Sequence, residues 1–436
     1  MTVPPELEPV RARRKVFSLA LAVVLTVPGL VMRLTGASGP HVLEAALFGL
    51  AIVGAAFLLS WAAEVAQLDL SAGLSIAILA FIAVLPEYAV DLVFAWKGGN
   101  AVEKFGSACK APGTGGESPC SLALANMTGA NRLLIGVGWS LVVFLAWYQW
   151  RKRRQRNNEV TLERSHAVEL SFLTVASAYS LTLPLKRTIT LLDAVLLIGL
   201  FAVYTVRISR APAEEPHLVG SAAYVATFPE RKRRVAVLGM FVFAALVIVA
   251  CAEHFAESLV ATGAEFGVSE FLLVQWLAPL ASEAPELLVA GLYAWRLNTN
   301  AGLGTLVSSK VNQWTLLVGS LPLVFALASG SFSGLPIVAR QREELLLTAA
   351  QSVFAVAVLS NLSISVREAW ALFGLFWAQF VVGAFVPASR HGTELLIVSV
   401  VYLALAAYTV ARHWRDIGHL VRDGFRTPYD ELASSG

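Results

Sequence analysis

Long apolar stretches, separated by short polar breaks, recur from one end of the chain to the other. A helix needs about 20 mostly apolar residues to cross a bilayer, and the pattern predicts about twelve such segments. The predicted segments are 16–34, 41–66, 73–96, 121–148, 167–185, 189–208, 234–260, 270–295, 302–328, 343–362, 367–387 and 393–412. The expected fold is an all-α polytopic membrane protein.

The composition supports this prediction, because charged residues are too scarce to cover a soluble surface. Of 436 residues, 57% are hydrophobic and 14% are charged, whereas an average soluble domain has about 25% charged residues. Disordered, collagen-like and nucleic-acid-binding chains are excluded. The first segment follows a basic cluster, as a signal peptide does, but its long apolar run without a clean cleavage site favours an uncleaved anchor.

Basic residues cluster in loops that lie on one side of a twelve-helix bundle. Positively charged loops stay in the cytoplasm, so both termini are expected there, in an inner (plasma) membrane protein. The clusters are Arg11–Lys15, Arg151–Arg156, Arg207–Arg234 and Arg412–Arg426. The basic residues that this count places outside are Lys186, Arg187, Arg340 and Arg342.

Two of the three cysteines, Cys109 and Cys120, share a polar loop on the predicted outer side. Disulfides persist in that environment. We expect a structural disulfide between them, with two unpaired thiols as the alternative. The third cysteine, Cys251, lies in an apolar run.

Two stretches of the first half recur in the second half. Residues 85–96 resemble 284–295, and 131–144 resemble 312–325. The two copies begin on segments that cross the membrane in opposite directions, and inverted repeats of this kind mark secondary transporters with an ion site near the midplane. The predicted parts are an N-terminal segment with an extra helix (1–40), a first repeat half (41–208), a cytoplasmic linker (209–233), a second repeat half (234–390), and an extra helix with a cytoplasmic tail (391–436).

Glu87 and Glu286 each follow a proline inside an apolar run. Proline frees the carbonyl four residues before it, here that of Ile82 or Ala281, and a freed carbonyl in a membrane must find a partner or line a cavity. Carboxylate and carbonyl oxygens suit Ca²⁺, Na⁺ or H⁺ rather than soft metals. Ionisable residues inside a bilayer are costly and usually functional, so we predict that this pair binds an ion.

Other polar residues lie near this pair in the sequence. Asp91 is one turn after Glu87, and Glu283 is three residues before Glu286, so four acids could meet between the repeats. Lys310 could pair with Glu283 or Glu286 as a built-in cation, or it could reach toward the membrane interface. Neutral oxygens are available from Asn126, Thr128, Asn131, Ser308, Ser309, Asn312, Gln313 and Thr315.

At these residues the chain resembles the cation/Ca²⁺ exchanger superfamily, the sodium/calcium exchangers and their relatives. The stretches that match the two family motifs in each half are Ile82–Glu87 and Ala125–Asn131, then Ala281–Glu286 and Leu306–Asn312. The resemblance implies ten core helices in two inverted five-helix repeats. It also implies that Glu87 and Glu286 bind Ca²⁺ and help to form Na⁺ sites, and that segments two and seven slide across the core.

The motifs depart from the family pattern at several oxygen ligands. In the first motif, the family's Thr-Ser pair is replaced by Ala83-Val84 in one copy and by Ser282-Glu283 in the other. In the second motif, Ala130 and Val311 replace the serine, and Lys310 replaces a glycine. A further polar position of the family is Leu134 in the first copy and Thr315 in the second. The candidate ion ligands that remain are Glu87, Asp91, Ser282, Glu283, Glu286, Asn131, Asn312 and Lys310. Fewer ions, a different ion or proton coupling is therefore expected.

We predict a secondary antiporter that exchanges Ca²⁺ or another cation against Na⁺ or H⁺, with the metal held by Glu87 and Glu286 and without a cofactor. Its expected partners are inorganic cations and the bilayer, with no nucleic acid. The alternatives are a Na⁺/H⁺ exchanger without Ca²⁺ transport and a non-transporting membrane scaffold or sensor. An enzyme is not expected, because the sequence lacks a His-Glu-x-x-His motif, a Ser/His pair and a phosphate loop.

Charged residues near the ends of the segments are expected to form interfacial clusters without a transport role, with the lining of a vestibule as the alternative. They are Glu253, His254 and Glu257 in segment seven, Glu64 in segment two, and Glu169 and Asp193 in segments five and six.

Overall fold

The computed structural model is almost entirely helical. It describes residues 9–69, 85–106, 109–110, 117–211, 218, 220–267, 269–387 and 390–433. The predicted third segment is described only from Leu85, so Ile82, Ala83 and Val84 of the first motif lie outside the described residues.

The helices of the first half follow the predicted segments closely. They are α1 (Pro9–Thr35), α2 (His41–Ala66), α3 (Leu85–Phe105), α4 (Pro119–Leu133), α5 (Ser140–Lys152), α6 (Ala167–Ser180) and α7 (Leu191–Ile208). A π-helical turn, Leu134–Trp139, joins α4 to α5 within one continuous span. Short 3₁₀ turns, Arg164–His166 and Leu183–Leu185, flank α6.

The second half repeats this arrangement and adds helices at its end. Its helices are α8 (Ala222–Val225), α9 (Glu230–Phe266), α10 (Glu270–Trp295), α11 (Thr299–Asn312), α12 (Val318–Ser329), α13 (Ala339–Val358), α14 (Val366–Phe385), α15 (His391–Arg412), α16 (Trp414–Phe425) and α17 (Tyr429–Ala433). A second π-helical turn, Gln313–Leu317, joins α11 to α12, and a 3₁₀ turn, Leu359–Asn361, follows α13. The last two helices, α16 and α17, lie in the stretch for which the sequence predicts only a cytoplasmic tail.

Nine helical spans among the described residues are long and apolar enough to cross a membrane. The other three predicted segments contain α3, α10 and α14. Several helices also expose apolar side chains on their outer faces, such as Val195 of α7, Val249 of α9 and Leu396 of α15. A large exposed apolar surface of this kind suits contact with lipid. The chain is therefore a polytopic helical membrane protein with two five-helix repeats.

Helix ends at matching places in the two repeats use the same chemistry. At the start of α7, the Thr190 hydroxyl accepts from the Asp193 amide while the Asp193 carboxylate accepts from the Thr190 amide. Ser365 and Glu368 form the same capping box at the start of α14. Such caps satisfy amides that the first turn leaves without partners. Asp193 therefore has a structural role.

Two short strand pairs join the repeats to each other. Strand β1 (Glu159–Thr161) precedes α6 and pairs antiparallel with β4 (Ser363–Ser365), which precedes α14. Strand β2 (Thr188–Ile189) precedes α7 and pairs antiparallel with β3 (Leu335–Pro336), which precedes α13. Each pair thus takes one strand from each repeat, in exchanged positions, as expected for two copies related by a pseudo-twofold axis.

The packing separates an inner group of helices from an outer pair. Helices α3, α4, α10, α11 and α12 pack against one another through largely buried faces. Helices α2 and α9 pack along each other and contact the inner group. Helix α9 has 37 residues, longer than predicted, because it ends only at Gly267, which adopts the left-handed conformation that glycine tolerates best.

The turn after α2 is tied to the start of α9 by one acid. The guanidinium of Arg233 donates to both Asp69 oxygens at 2.9 and 2.7 Å, and Arg234 donates to Asp69 at 3.3 Å. The Arg233 hydrogen bonds are the largest cause that lowers the pKa of Asp69 below its ordinary value, against a smaller opposing effect of burial. Asp69 therefore stabilises the fold when ionised.

We predict that Asp69→Asn lowers the free energy of unfolding by about 1–3 kcal/mol at pH 7, because charge-assisted hydrogen bonds are lost. Since the pKa of Asp69 is lowered in the folded state, its contribution is complete above the ordinary value of about 3.9 and is lost as the pH falls through the folded value. The difference in melting temperature between wild type and variant, measured in detergent, should shrink below about pH 4. Glu230→Gln, which removes an exposed partner of Arg234, should change little, and a pH-independent difference would contradict the ion-pair explanation.

Candidate functional site

Four acidic side chains converge between α3 and α10. Helix α3 carries Glu87 and Asp91, and α10 carries Glu283 and Glu286, after Pro285. Glu87, Asp91 and Glu283 are 4%, 0% and 3% exposed. Glu87 is close enough to interact electrostatically with Asp91 and Glu286, and Glu283 with Glu87 and Glu286. The structure therefore brings together the four acids that the repeat pattern predicted.

Residues of α11 and the following π-helical turn donate to these acids. Gln313 donates from one amide nitrogen to Glu283 at 2.6 Å and to Glu87 at 3.5 Å. The Ser309 hydroxyl donates to Glu286 at 2.7 Å. One oxygen of Glu87 and one of Glu283 are buried without a hydrogen-bond partner. Burying such oxygens without compensation is costly, so the site has unsatisfied capacity to accept a cation or a proton.

The carboxylates are not already arranged as a metal cage. Among the residues that the structure describes, no group of three or more His, Cys, Asp or Glu side chains is placed to hold a metal ion. Asp91 lies beside the amide of Asn126. The Ser282 hydroxyl donates to the carbonyls of Ala278 and Pro279, both at 3.2 Å, within its own helix. Ion binding at this site would therefore need the carboxylates to move together.

Lys310 lies inside the protein and is 0% exposed, so it does not reach toward the interface. Its ammonium donates to the carbonyl and side-chain oxygens of Asn131 at 2.5 and 2.6 Å. It forms no ion pair within 4 Å with Glu283 or Glu286, the two partners considered from the sequence, although Glu283 and Glu87 act on it electrostatically. The side-chain oxygen of Asn131, predicted as an ion ligand, is thus occupied by the lysine.

The second predicted amide ligand also has partners within the protein. The Tyr88 hydroxyl donates to the side-chain oxygen of Asn312 at 3.3 Å. The two equivalent asparagines therefore differ, since Asn131 contacts an ammonium and Asn312 a hydroxyl. This difference arises because Lys310 of the second repeat replaces Gly129 of the first. A side chain at Gly129 would place its Cβ 1.8 Å from the Gln275 carbonyl oxygen, so the first position must stay a glycine.

A cavity of about 350 Å³ leads from this site toward one end of the bundle. At its inner end it is lined by Glu286, Ser309 and Asn312. Toward the end that carries the Arg151–Arg156 loop, it is lined by Glu64 and Glu169. From the sequence we expect no transport role for these two acids. In the structure both line one cavity, although their helices, α2 and α6, are distant in sequence.

Sequence reasoning missed a second buried polar network beside the site. Arg132 pairs with Glu344 at 3.0 Å, with side chains 2% and 6% exposed. Gln275 donates to Glu344 at 3.1 Å and to Thr128 at 3.4 Å. Arg132 follows Asn131 in an apolar run, and that unusual position was the available signal.

Of the other predicted residues, Ser308 also lines the cavity, whereas Glu253, Glu257 and the three cysteines do not. Lys97 pairs with Glu257 at 2.6 Å and Glu253 at 3.4 Å, which places these acids in a partly exposed ion cluster. A disulfide joins Cys109 to Cys120, and Cys251 is a buried free thiol.

Comparison with known proteins gives matches in both halves of the chain. A family model described as sodium/calcium exchanger protein matches residues 41–209 and 236–386. The two matched stretches nearly coincide with the two repeat halves. Among proteins with curated descriptions, none matches significantly.

Two solved structures are similar over most of their lengths. One, titled "Crystal Structure of H+/Ca2+ Exchanger CAX", is 40% identical, with a TM-score of 0.85, and the match covers 98% of this chain and 100% of the other. The other, titled "Structure of native YfkE", is 13% identical, with a TM-score of 0.59 and coverage of 89% and 100%. The second similarity supports the fold alone.

We predict that breaking the Arg132–Glu344 pair destabilises the protein by about 3–5 kcal/mol, because the partner left behind is a buried, uncompensated charge. Glu344→Gln should lower the melting temperature in detergent strongly. Arg132→Met combined with Glu344→Gln should lower it less than the sum of the effects of Arg132→Met and Glu344→Gln alone, since neither charge remains. Strict additivity would contradict a direct interaction between them.

Proposed function

The chain belongs to the sodium/calcium exchanger protein family, and from that premise we propose that it is a secondary antiporter that exchanges Ca²⁺ against H⁺. The cation would bind between Glu87 and Glu286. The observation that supports this most directly is the convergence of these two glutamates from equivalent positions of inverted repeats, with Glu286 lining the inner end of a cavity. The 40% identical structure is named as an H⁺/Ca²⁺ exchanger, and this supports H⁺ rather than Na⁺ as the counter-ion.

Charge balance supplies the coupling. If the four acids and Lys310 were all ionised, the buried site would hold a surplus of three negative charges. Such a surplus cannot persist in a low-dielectric interior. A divalent cation would reduce it to one, protons could remove it fully, and both would compete for the same carboxylate oxygens. Competition for one site makes the exit of one ion a condition for the entry of the other.

The oxygens available suit a hard divalent cation. Ca²⁺ takes six to eight oxygen ligands in flexible geometry and accepts water among them. Glu87 and Glu283 each have a free buried oxygen, Glu286 lines the cavity, and the cavity can hold water. A cation entering beside Glu286 would draw these carboxylates together.

Access to the site is asymmetric in this conformation. The cavity reaches Glu286 from one end. Toward the other end, a Cβ added to Gly99 would lie 2.5 Å from the Ala328 side chain, so α3 and α12 are in close contact there. We propose that this is one state of an alternating-access cycle, in which α2 and α9 shift together against the inner helices.

The positions of basic residues orient the protein. The positive-inside rule assigns the cavity and both termini to the cytoplasm of an inner-membrane protein. Of the basic residues expected outside, Lys186 pairs with Asp193 and Arg340 with Glu117. The buried Cys109–Cys120 disulfide would then lie near the exterior side, where disulfides persist.

A Na⁺/H⁺ exchanger that does not transport Ca²⁺ is a second candidate, favoured by one observation. Lys310 occupies both Asn131 oxygens, so the site has fewer ligands for a large ion shell. While Lys310 stays charged, its ammonium offsets the charge of one carboxylate. Entering ions then have to supply less positive charge.

We predict that Glu87→Gln and Glu286→Gln each reduce Ca²⁺ uptake driven by a pH gradient about a hundredfold, since loss of one buried charge partner costs about 3 kcal/mol. Purified protein in liposomes, radioactive Ca²⁺ and an internal pH dye measure both fluxes. Glu257→Gln, which changes an acid in the partly exposed Lys97 cluster, should stay within about twofold of wild type.

The arms of this experiment separate the candidates. Ca²⁺ uptake coupled to proton release supports the proposal. Proton flux on addition of Na⁺, with no response to Ca²⁺, would replace it with the second candidate. The absence of both fluxes would overturn both.

Lys310→Gly gives the second repeat the glycine of the first. We predict that in this variant Na⁺ inhibits Ca²⁺ uptake at about tenfold lower concentration, because the freed Asn131 oxygens can bind Na⁺. A charge-assisted hydrogen bond of the kind that is lost is worth about 1.5–3 kcal/mol. Lys310→Met keeps the volume and removes the charge, so it should behave in the same direction. Unchanged Na⁺ inhibition in both correctly folded variants would show that Lys310 does not occupy a cation position.

A further inference from the structure

The outer part of the cavity is lined by side chains from three separate elements. Glu64 comes from the end of α2, His166 from the 3₁₀ turn before α6, and Glu169 from the first turn of α6. These residues are distant in sequence and lie between the bundle end and Glu286. The exchange site described above does not use them.

Glu169 is the unusual member of this group. It is 7% exposed and lines the cavity. One carboxylate oxygen lies 3.6 Å from the Nδ1 of His166, and the other is buried without a hydrogen-bond partner. A carboxylate oxygen so enclosed is costly unless a ligand compensates it.

The charge along the cavity favours cations. The lining includes the carboxylates of Glu64, Glu169 and Glu286 and no lysine or arginine among the described residues that line it. A cleft lined by charge of one sign focuses the field and raises the local concentration of ions of the opposite sign. Neutral oxygens lie between the acids, including the Tyr204 and Ser308 hydroxyls, which are 2.9 Å apart.

The residues on either side of Glu169 are anchored to α16. The Ser171 hydroxyl donates to the Leu420 carbonyl of α16 at 2.9 Å, and Arg164 forms two hydrogen bonds to Asp423 at 2.7 and 3.0 Å. A Cβ on Gly424 would lie 2.1 Å from the Ser171 hydroxyl. The start of α6 is therefore fixed against α16, which orders the Glu169 carboxylate.

We propose that Glu64 and Glu169 form a second, weaker cation site that holds a hydrated divalent cation in the cavity. The site would concentrate the ion and pass it to Glu286. Because no closed group of three metal-ligating side chains exists among the described residues, the ion keeps most of its water. The delivery step rests on the proposed exchange function, whereas binding at Glu64 and Glu169 does not.

Binding is tested with the full-length protein in detergent and radioactive Ca²⁺ in equilibrium dialysis. Wild type should bind one Ca²⁺ tightly and a second more weakly. Glu87→Gln should remove the tight component and leave the weak one. Glu64→Gln combined with Glu169→Gln should remove the weak component and leave the tight one, and a weak component that survives this double change would overturn the proposal.

Transport gives a second, independent measurement. In oriented liposomes, Glu169→Gln should raise the KM for Ca²⁺ supplied from the cavity side about three- to tenfold with an unchanged maximal rate, since only the local concentration falls. The effect should shrink at high ionic strength and be absent for Ca²⁺ supplied from the other side. Glu257→Gln serves as the control acid.

The two proposals can fail separately. If wild type does not transport Ca²⁺ but the weak component still depends on Glu64 and Glu169, the exchange function is wrong and the cavity site stands. If transport is normal and Glu169→Gln lowers the maximal rate without a change in KM, the carboxylate acts structurally and the cavity site is overturned.

Discussion

The need to compensate buried carboxylates is the constraint on which the rest of the structure depends. Glu87, Asp91 and Glu283 are almost completely buried, where an uncompensated charge is costly. Gln313 and Ser309 donate to the acids and Lys310 supplies the nearby positive charge. These donors leave oxygens of Glu87 and Glu283 unsatisfied. This incomplete compensation is the observation on which the proposed ion site rests.

The scaffold that holds these acids is symmetric, but its chemistry is not. The strand pairs exchange between repeats, both fifth helices begin with capping boxes, and a π-helical turn follows each motif asparagine. Such turns are often found at functional sites. The tight contact of Gly129 with Gln275 excludes a side chain in the first repeat, whereas the second repeat accommodates Lys310. The symmetry therefore places the candidate ligands at equivalent positions, and single substitutions such as Gly129 to Lys310 give those positions different hydrogen-bond partners.

Much of the fold and the central acids could be predicted from the sequence, because apolar length and the Pro-Glu repeat are local signals. The partners of the acids could not. Lys310 hydrogen-bonds to Asn131, 179 positions away, and Glu64 of α2 and Glu169 of α6 line the same cavity although they are distant in sequence. Arg132 was visible as a charge in an apolar run, but its partner Glu344 lies on a helix distant in sequence. Pairings of this kind depend on helix packing, which hydrophobic periodicity does not specify.

The distribution of charge along the cavity suggests why the acids differ in exposure. Glu286 lines the cavity and is half-buried, whereas Glu87 and Glu283 lie deeper and bond to Gln313. In the proposed exchange, a hydrated cation that reaches Glu286 would keep water there, and it would have to replace that water with carboxylate oxygens to move inward. A protonated deep acid cannot offer a charged ligand, so under this proposal proton release would accompany cation entry. The graded exposure would then link the two ions without a separate gate at the centre.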